Sequence, residues 1–192
     1  MLFVPCIAVV GDSQASSCGH VPLSKTPVQR DACPTDSAGH SFGSIYGNAI
    51  PIRVVAVVLK QILDYSEQDL RRERGGFLLG TYQQKPLPAV TLQQFLPASQ
   101  TRAKATSLRF THDTWSNLTR EVDRQFPGSQ IIGWHHTHPQ MGVFLSSQDI
   151  FIHRHFFSQP WQIAMVVDPV AHQFGFFQWW GERVASCGFV CI

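Results

Sequence analysis

The reading of this chain turns on Ile131-Ile132-Gly133-Trp134-His135-His136-Thr137-His138-Pro139. The stretch opens as a buried strand and runs straight into histidines. Side chains alternate faces along a strand, so His136 and His138 point the same way with Cα atoms roughly 6.5–7 Å apart. Two imidazoles at that separation can converge on one metal at Zn–N distances of ~2.0–2.1 Å. His135 faces the opposite way and cannot join them. Pro139 lacks an N–H, so strand pairing ends there and the chain turns. Asp149 comes eleven residues after His138, near the start of the next expected helix, where it can fold back over the strand end. Two histidines, one carboxylate and a water make the open tetrahedral set of a catalytic zinc.

Plainer readings stand beside these. Ser146-Ser147-Gln148-Asp149 also has the form of a capping box at a helix start. Glu73 lies among Arg71, Arg72 and Arg74, so it is either part of a solvated charge run or a carboxylate available as a general base. His153 and His155 fall on a helix, where positions two apart diverge by about 200°; they read as surface or packing residues. His112 and His172 have no ligand partner in register and read as structural.

Working outward, the pattern alternates helix and strand. Val54-Val55 starts strand-like, and Val58, Leu59, Ile62 and Leu63 take up helical spacing to near Gln68. Phe77–Tyr82 and Val90–Leu96 read as strands, and Leu108–Thr111 as a short one. Asp113 is placed to cap a helix whose apolar face is Trp115, Leu118, Val122 and Phe126, stopped by Pro127-Gly128. A helix over Ser147–Phe156 and strands Gln162–Val167 and Phe174–Trp180 follow. The expected fold is α/β: a sandwich with one mixed sheet flanked by helices. Residues 1–49 read as a poorly ordered extension with one short strand at Phe3–Val10, residues 50–183 as the folded domain, and 184–192 as a tail.

Composition bounds the function. A chain of 192 residues with 44% hydrophobic content supports one sizeable core. Charged residues are 15%, against roughly 25% in an average soluble protein. The net charge of +2 is too small for an electrostatic nucleic-acid footprint. The uncharged start, Met1 to Gly11, falls short of the ~20 residues that span a bilayer, and it lacks the basic lead-in of a secretory signal. The expectation is a cytoplasmic protein that binds neither nucleic acid nor membrane. Five cysteines, with no Cys-x-x-Cys pair, read as reduced thiols.

A zinc hydrolase needs a base that reaches the attacking water without being a ligand, and a donor for the developing oxyanion. Glu73 and Ser146 are of those types. With them the chain resembles the JAMM (JAB or MPN-plus) metalloprotease family. That family's pattern is a glutamate two residues before a glycine-led strand, then His-x-His-Pro, six residues, Ser, two residues, Asp. Here it reads Glu73-Arg74-Gly75-Gly76, His136-Thr137-His138-Pro139, Ser146 and Asp149.

The resemblance, over about residues 51–180, implies one Zn2+ per chain held by His136, His138 and Asp149. It further implies Glu73 as acid/base and Ser146 as an aid to the tetrahedral intermediate. The implied substrate is the peptide or isopeptide bond just after the C-terminal glycine of a ubiquitin-like protein or its conjugates. Eukaryotic deubiquitinating members carry a long insertion after the aspartate helix; here only Ile150–Gln159 precedes Pro160-Trp161-Gln162. The compact form resembles bacterial and archaeal members, which are associated with sulfur-carrier or ubiquitin-like conjugation systems, some in antiphage defence. Activating- and conjugating-enzyme-like proteins are then expected partners. Gln84–Ser107 is the candidate segment for holding the substrate tail, although its Leu92, Phe95 and Leu96 serve equally well as core. The alternative function is a non-catalytic MPN scaffold or binding module. A nucleobase deaminase fails on pattern, since no His-x-Glu precedes a Pro-Cys-x-x-Cys.

Overall fold

The computed structural model describes residues 40–43, 49–98 and 112–192. Their strands are β1 (His40–Phe42), β2 (Ile52–Val54), β3 (Gly75–Gln83), β4 (Ala89–Pro97), β5 (Gln130–Thr137), β6 (Ile163–Asp168), β7 (Gln173–Trp180), β8 (Arg183–Cys187) and β9 (Phe189–Cys191). Three helices intervene: α1 (Ala56–Ser66), α2 (His112–Gln125) and α3 (Ser147–Phe156). The strands form one sheet in the order β1-β9-β2-β4-β3-β5-β6-β7-β8. Pairing is parallel for β2/β4, β2/β9 and β5/β6, and antiparallel elsewhere. The sheet is mixed and flanked by helices, as the alternating pattern implies.

Each face of the sheet has its own core. Val58, Leu59, Ile62 and Leu63 of α1 pack on Ile52, Leu78, Leu92, Met165 and Phe176. On the other face Leu118 and Val122 of α2 and Ile152 of α3 pack on Phe77, Leu79, Trp134 and Val166. Strand β6 serves both, alternating Ile163, Met165 and Val167 toward α1 with Ala164 and Val166 toward α2 and α3. Buried on both faces, it reads as the continuous apolar run Ile-Ala-Met-Val-Val.

A β-bulge in β5 decides which face carries the histidines. Leu78 of β3 pairs with Gly133 and Leu79 with Ile131, which leaves Ile132 as the extra residue. Ile132 therefore faces α1, while Ile131 and Trp134 both face α2 and α3. Without the bulge, alternation from Ile132 would turn His136 to the α1 side. Gly133 is required there, because a Cβ would sit 2.0 Å from the Ile163 carbonyl oxygen of β6.

Four expectations change. Residues 184–192, read as a tail, hold most of β8 and all of β9, and Phe189 and Cys191 are buried in the α1-side core. His40–Phe42, read as part of the extension, pairs with β9 as β1. Periodicity misses both because each strand is three to five residues long. Helix α2 begins at His112, so residue 113 lies within it and not ahead of it. Cys187 is a free thiol, pushed up to about 12 by burial, but Cys191 is disulfide-bonded, against the all-reduced reading. The strands expected at Phe3–Val10 and Leu108–Thr111 lie outside the described residues, as do Cys6, Cys18 and Cys33.

Candidate metal centre

His136 sits next to the end of β5 and His138 one residue beyond it. The backbone N–H of His138 donates to the Val167 carbonyl at 2.8 Å, so the strand geometry extends through the second histidine. The His136 ring lies on the Trp134 indole, with centroids 4.5 Å apart and planes 11° apart. Trp134 in turn stacks on Phe157 and donates from Nε1 to His153 Nδ1 at 3.2 Å. Phe144 tilts against the His138 ring at 4.8 Å. Both imidazoles are held from behind by aromatic faces and are 1% and 3% exposed.

Asp149 reaches them from α3. Ser146 is the N-cap residue: its Oγ accepts from the Asp149 N–H at 3.2 Å, and Asp149 Oδ2 accepts from the Ser146 N–H at 2.7 Å. The capping box is therefore real. It does not compete with a ligand role, because the same carboxylate lies 3.4 Å from His136 Nε2 through Oδ1 and 3.6 Å from His138 Nε2 through Oδ2. The box fixes the helix start and aims the carboxylate in one step. Burial alone would raise the Asp149 pKa, but the two imidazoles and the Ser146 side chain outweigh it and hold the carboxyl below its usual range.

The donor set fits a metal. His136 Nε2 and His138 Nε2 lie 3.0 Å apart, and with the 3.4 and 3.6 Å separations to Asp149 they outline a triangle. Bonds of ~2.0–2.1 Å to a tetrahedral zinc imply ligand–ligand edges of roughly 3.3–3.4 Å. The two carboxylate distances exceed a good hydrogen bond. Among the described residues both Nδ1 atoms are buried without a hydrogen-bond partner. The three groups could together hold a divalent cation.

Glu73 approaches along β3. Gly75 pairs with His136, and the ladder continues as Thr137 N–H donates to the Arg74 carbonyl while Arg74 N–H donates to Thr137 Oγ1, both at 2.8 Å. The residue between the two histidines thus pins the segment that carries Glu73, a link the sequence reading does not assign. Continuing that antiparallel register sets position 73 across from His138. The Glu73 side chain is exposed, and Arg74 is drawn away to Gln68 and the Tyr65 ring.

The other histidines separate as their spacing implies. His135 lies on the α1 face, 3.0 Å from Ser66 Oγ and edge-on to Phe95. Ser66 donates its proton to the Ile62 carbonyl at 2.7 Å, so His135 Nε2 is the donor to Ser66. Burial pushes His135 down to about 3, helped by His136 and Arg74. His153 is buried between Phe157 and Trp179 and lowered to about 4 by burial. His155 is exposed against Phe151, and His172 lies 3.5 Å from Glu67. Of the segment proposed to hold a substrate tail, Leu92 and Leu96 are core residues of β4. Phe95 packs against the α1-side core and also borders a pocket of about 410 Å³ with Gln61, Tyr65 and Arg74, on the α1 side away from the candidate ligands. The rest, residues 99–107, lies outside the described residues.

Comparison with known proteins bears on this geometry. The family described as JAB1/Mov34/MPN/PAD-1 ubiquitin protease matches residues 49–159, more than half of the chain. The NAD(+) hydrolase TcpA of a Theionarchaea archaeon is 37% identical over 59 residues, covering 30% of this chain and 18% of that protein. COP9 signalosome complex subunit 5 of Drosophila melanogaster is 26% identical over 168 residues, covering 84% of this chain and 44% of the relative. The chain spans less than half the length of each of these curated relatives. The solution structure of protein DSY2949 from Desulfitobacterium hafniense superposes with a TM-score of 0.55 at 17% identity, over 73% of this chain and 92% of that one, and shows the same fold.

Proposed function

The chain belongs to the JAB/MPN family, and from that premise we propose that it is a zinc-dependent isopeptidase cleaving after the C-terminal glycine of a ubiquitin-like protein. The observation that carries the reading is the convergence of His136 Nε2, His138 Nε2 and the Asp149 carboxylate, all within 4.8 Å of one another. These three residues hold one zinc per chain. Zinc bound there would polarise the scissile carbonyl and ease deprotonation of a water.

The remaining steps belong to the protein. Glu73 takes a proton from the attacking water and returns it to the leaving amine as the C–N bond breaks. Ser146 steadies the oxyanion through its hydroxyl, whose oxygen also accepts the capping bond. A glycine-rich tail suits this centre because it lets the carbonyl approach a buried metal without side chains in the way. The setting is cytoplasmic maturation or deconjugation beside activating- and conjugating-enzyme-like proteins. A ubiquitin-like conjugation or antiphage-defence system is part of the same proposal.

Incubation with candidate ubiquitin-like precursors and fusions tests the reading. Wild-type protein should release the tail after its terminal glycine. Glu73→Gln should lose at least ~10²-fold in turnover with zinc content unchanged, since the amide cannot accept the proton. Near-normal turnover in that variant would reject Glu73 as the base. A zinc-loaded wild type that cleaves nothing would favour the non-catalytic scaffold.

A further inference from the structure

The metal centre is followed by a tight reversal that the ligand set does not explain. Met141 N–H donates to the His138 carbonyl at 3.1 Å, closing the four-residue turn His138-Pro139-Gln140-Met141. Gln140 has φ of 62°, so the turn has the signature of type II: proline second, and a left-handed residue third. That third position favours glycine or asparagine, and glutamine there must be held by its surroundings. The turn matters because the chain must come back at once. Phe144 returns against the His138 ring, and Ser146 and Asp149 follow directly.

One buried side chain holds this reversal. Asp168, at the end of β6, is 2% exposed. Its Oδ1 accepts from the Gln140 N–H at 3.1 Å and its Oδ2 from the Gly142 N–H at 2.9 Å. Oδ1 also accepts from Val170 and Ala171 at 3.0 and 3.1 Å. The second loop contains His172, itself at φ 52°. A single carboxylate thus ties together two loops, each with a non-glycine residue in the left-handed region.

We infer that Asp168 is the positioning residue of the metal centre: through the backbone of Gln140 and Gly142 it holds the turn that returns the chain from His138 to Asp149. The inference rests on the metal-centre reading above. It makes Asp168 neither a ligand nor a catalytic residue; its effect reaches the metal only through the turn.

The test measures zinc dissociation constants by chelator competition on folded protein, with melting temperature recorded alongside. Asp168→Asn keeps the shape but sets an amide N–H against a backbone N–H, and should weaken zinc binding about tenfold. Adding Gln140→Gly, which adopts the left-handed turn freely, should restore affinity to within about threefold of wild type. Gln140→Gly alone should leave affinity unchanged. A purely structural Asp168 would lower the melting temperature with zinc affinity untouched, and that result overturns the inference. Weakened binding with no rescue by Gln140→Gly overturns it as well. If Asp168→Asn does not fold, Gln140→Val decides: a β-branched residue strains the same turn while leaving Asp168 intact, and unchanged zinc affinity counts against the role. A wild-type protein that takes up no zinc overturns the metal-centre reading together with this one, whereas wild-type binding with unaffected variants removes only the role of Asp168.

Discussion

At the scale of single residues, the same side chain repeatedly does two jobs. Asp149 closes a capping box and also lies within reach of both imidazoles, so the geometry accommodates both sequence readings of Ser146–Asp149. His153 accepts from Trp134 and packs as an aromatic plate behind the His136 stack. Its acceptor role requires the neutral ring, and burial lowers its pKa from 6.5 to about 4. Between those values the unfolded chain is protonated at this residue and the folded one is not, so unfolded protein binds the extra proton. Stability from this group is therefore complete above pH 6.5 and falls on acidification, by about 1.4 kcal/mol per pH unit at most, until pH reaches about 4. His153→Gln preserves an acceptor for Trp134 without titrating. Thermal melts from pH 7 to 4 should show a shallower acid loss in that variant; parallel curves would assign the acid sensitivity elsewhere. The candidate ligands were legible because strand alternation and spacing depend on sequence alone. Asp168 and Thr137 were not, because their partners are backbone groups of segments far away in the chain.

At the scale of elements, β5 is the decisive piece. Alternation correctly sets His136 and His138 on one face, yet which face that is depends on the bulge at Ile132, and nothing in the apolar run Ile131-Ile132 announces it. The visible trace is Gly133, whose missing side chain permits the close approach of β6. Gly133→Ala should force β5 and β6 apart and cost about 3 kcal/mol, with zinc content falling in parallel, as melting curves and metal analysis would reveal. Full stability with full zinc would mean that β6 yields easily and that the bulge does not set the histidine face. Helices α1 and α3 were readable to within two residues because each carries a strong local signal. For α1 this is the Val58/Leu59/Ile62/Leu63 stripe, and for α3 the capping box.

At the scale of the whole molecule, what looked like a tail proves to be interior. Strand β9 lies between β1 and β2, pairs Val190 with Arg53 and Cys191 with Val54, and buries Phe189 against Phe174 and Phe176. Ile192 exchanges hydrogen bonds with Val54 and Ala56. Removing residues 189–192 should cost about 3 kcal/mol from the phenylalanine alone, a fall of ~6–12 °C in melting temperature. An unchanged melt would return these residues to the status of a tail. No stretch of three residues carries enough periodicity to be recognised as a strand; only its partners identify it.

The placement of β9 also sets an order of events. Strand β2 is made early and finds β4 soon after, but its other edge stays open until the last strand of the sheet has been synthesised. Long-range pairing of this kind slows folding, because the loop must close before the contact can reward it. Until then an apolar strand edge is exposed to any neighbouring chain. Released chains truncated before residue 189 should therefore bind chaperones and aggregate, although nearly all of the α1-side core is already present.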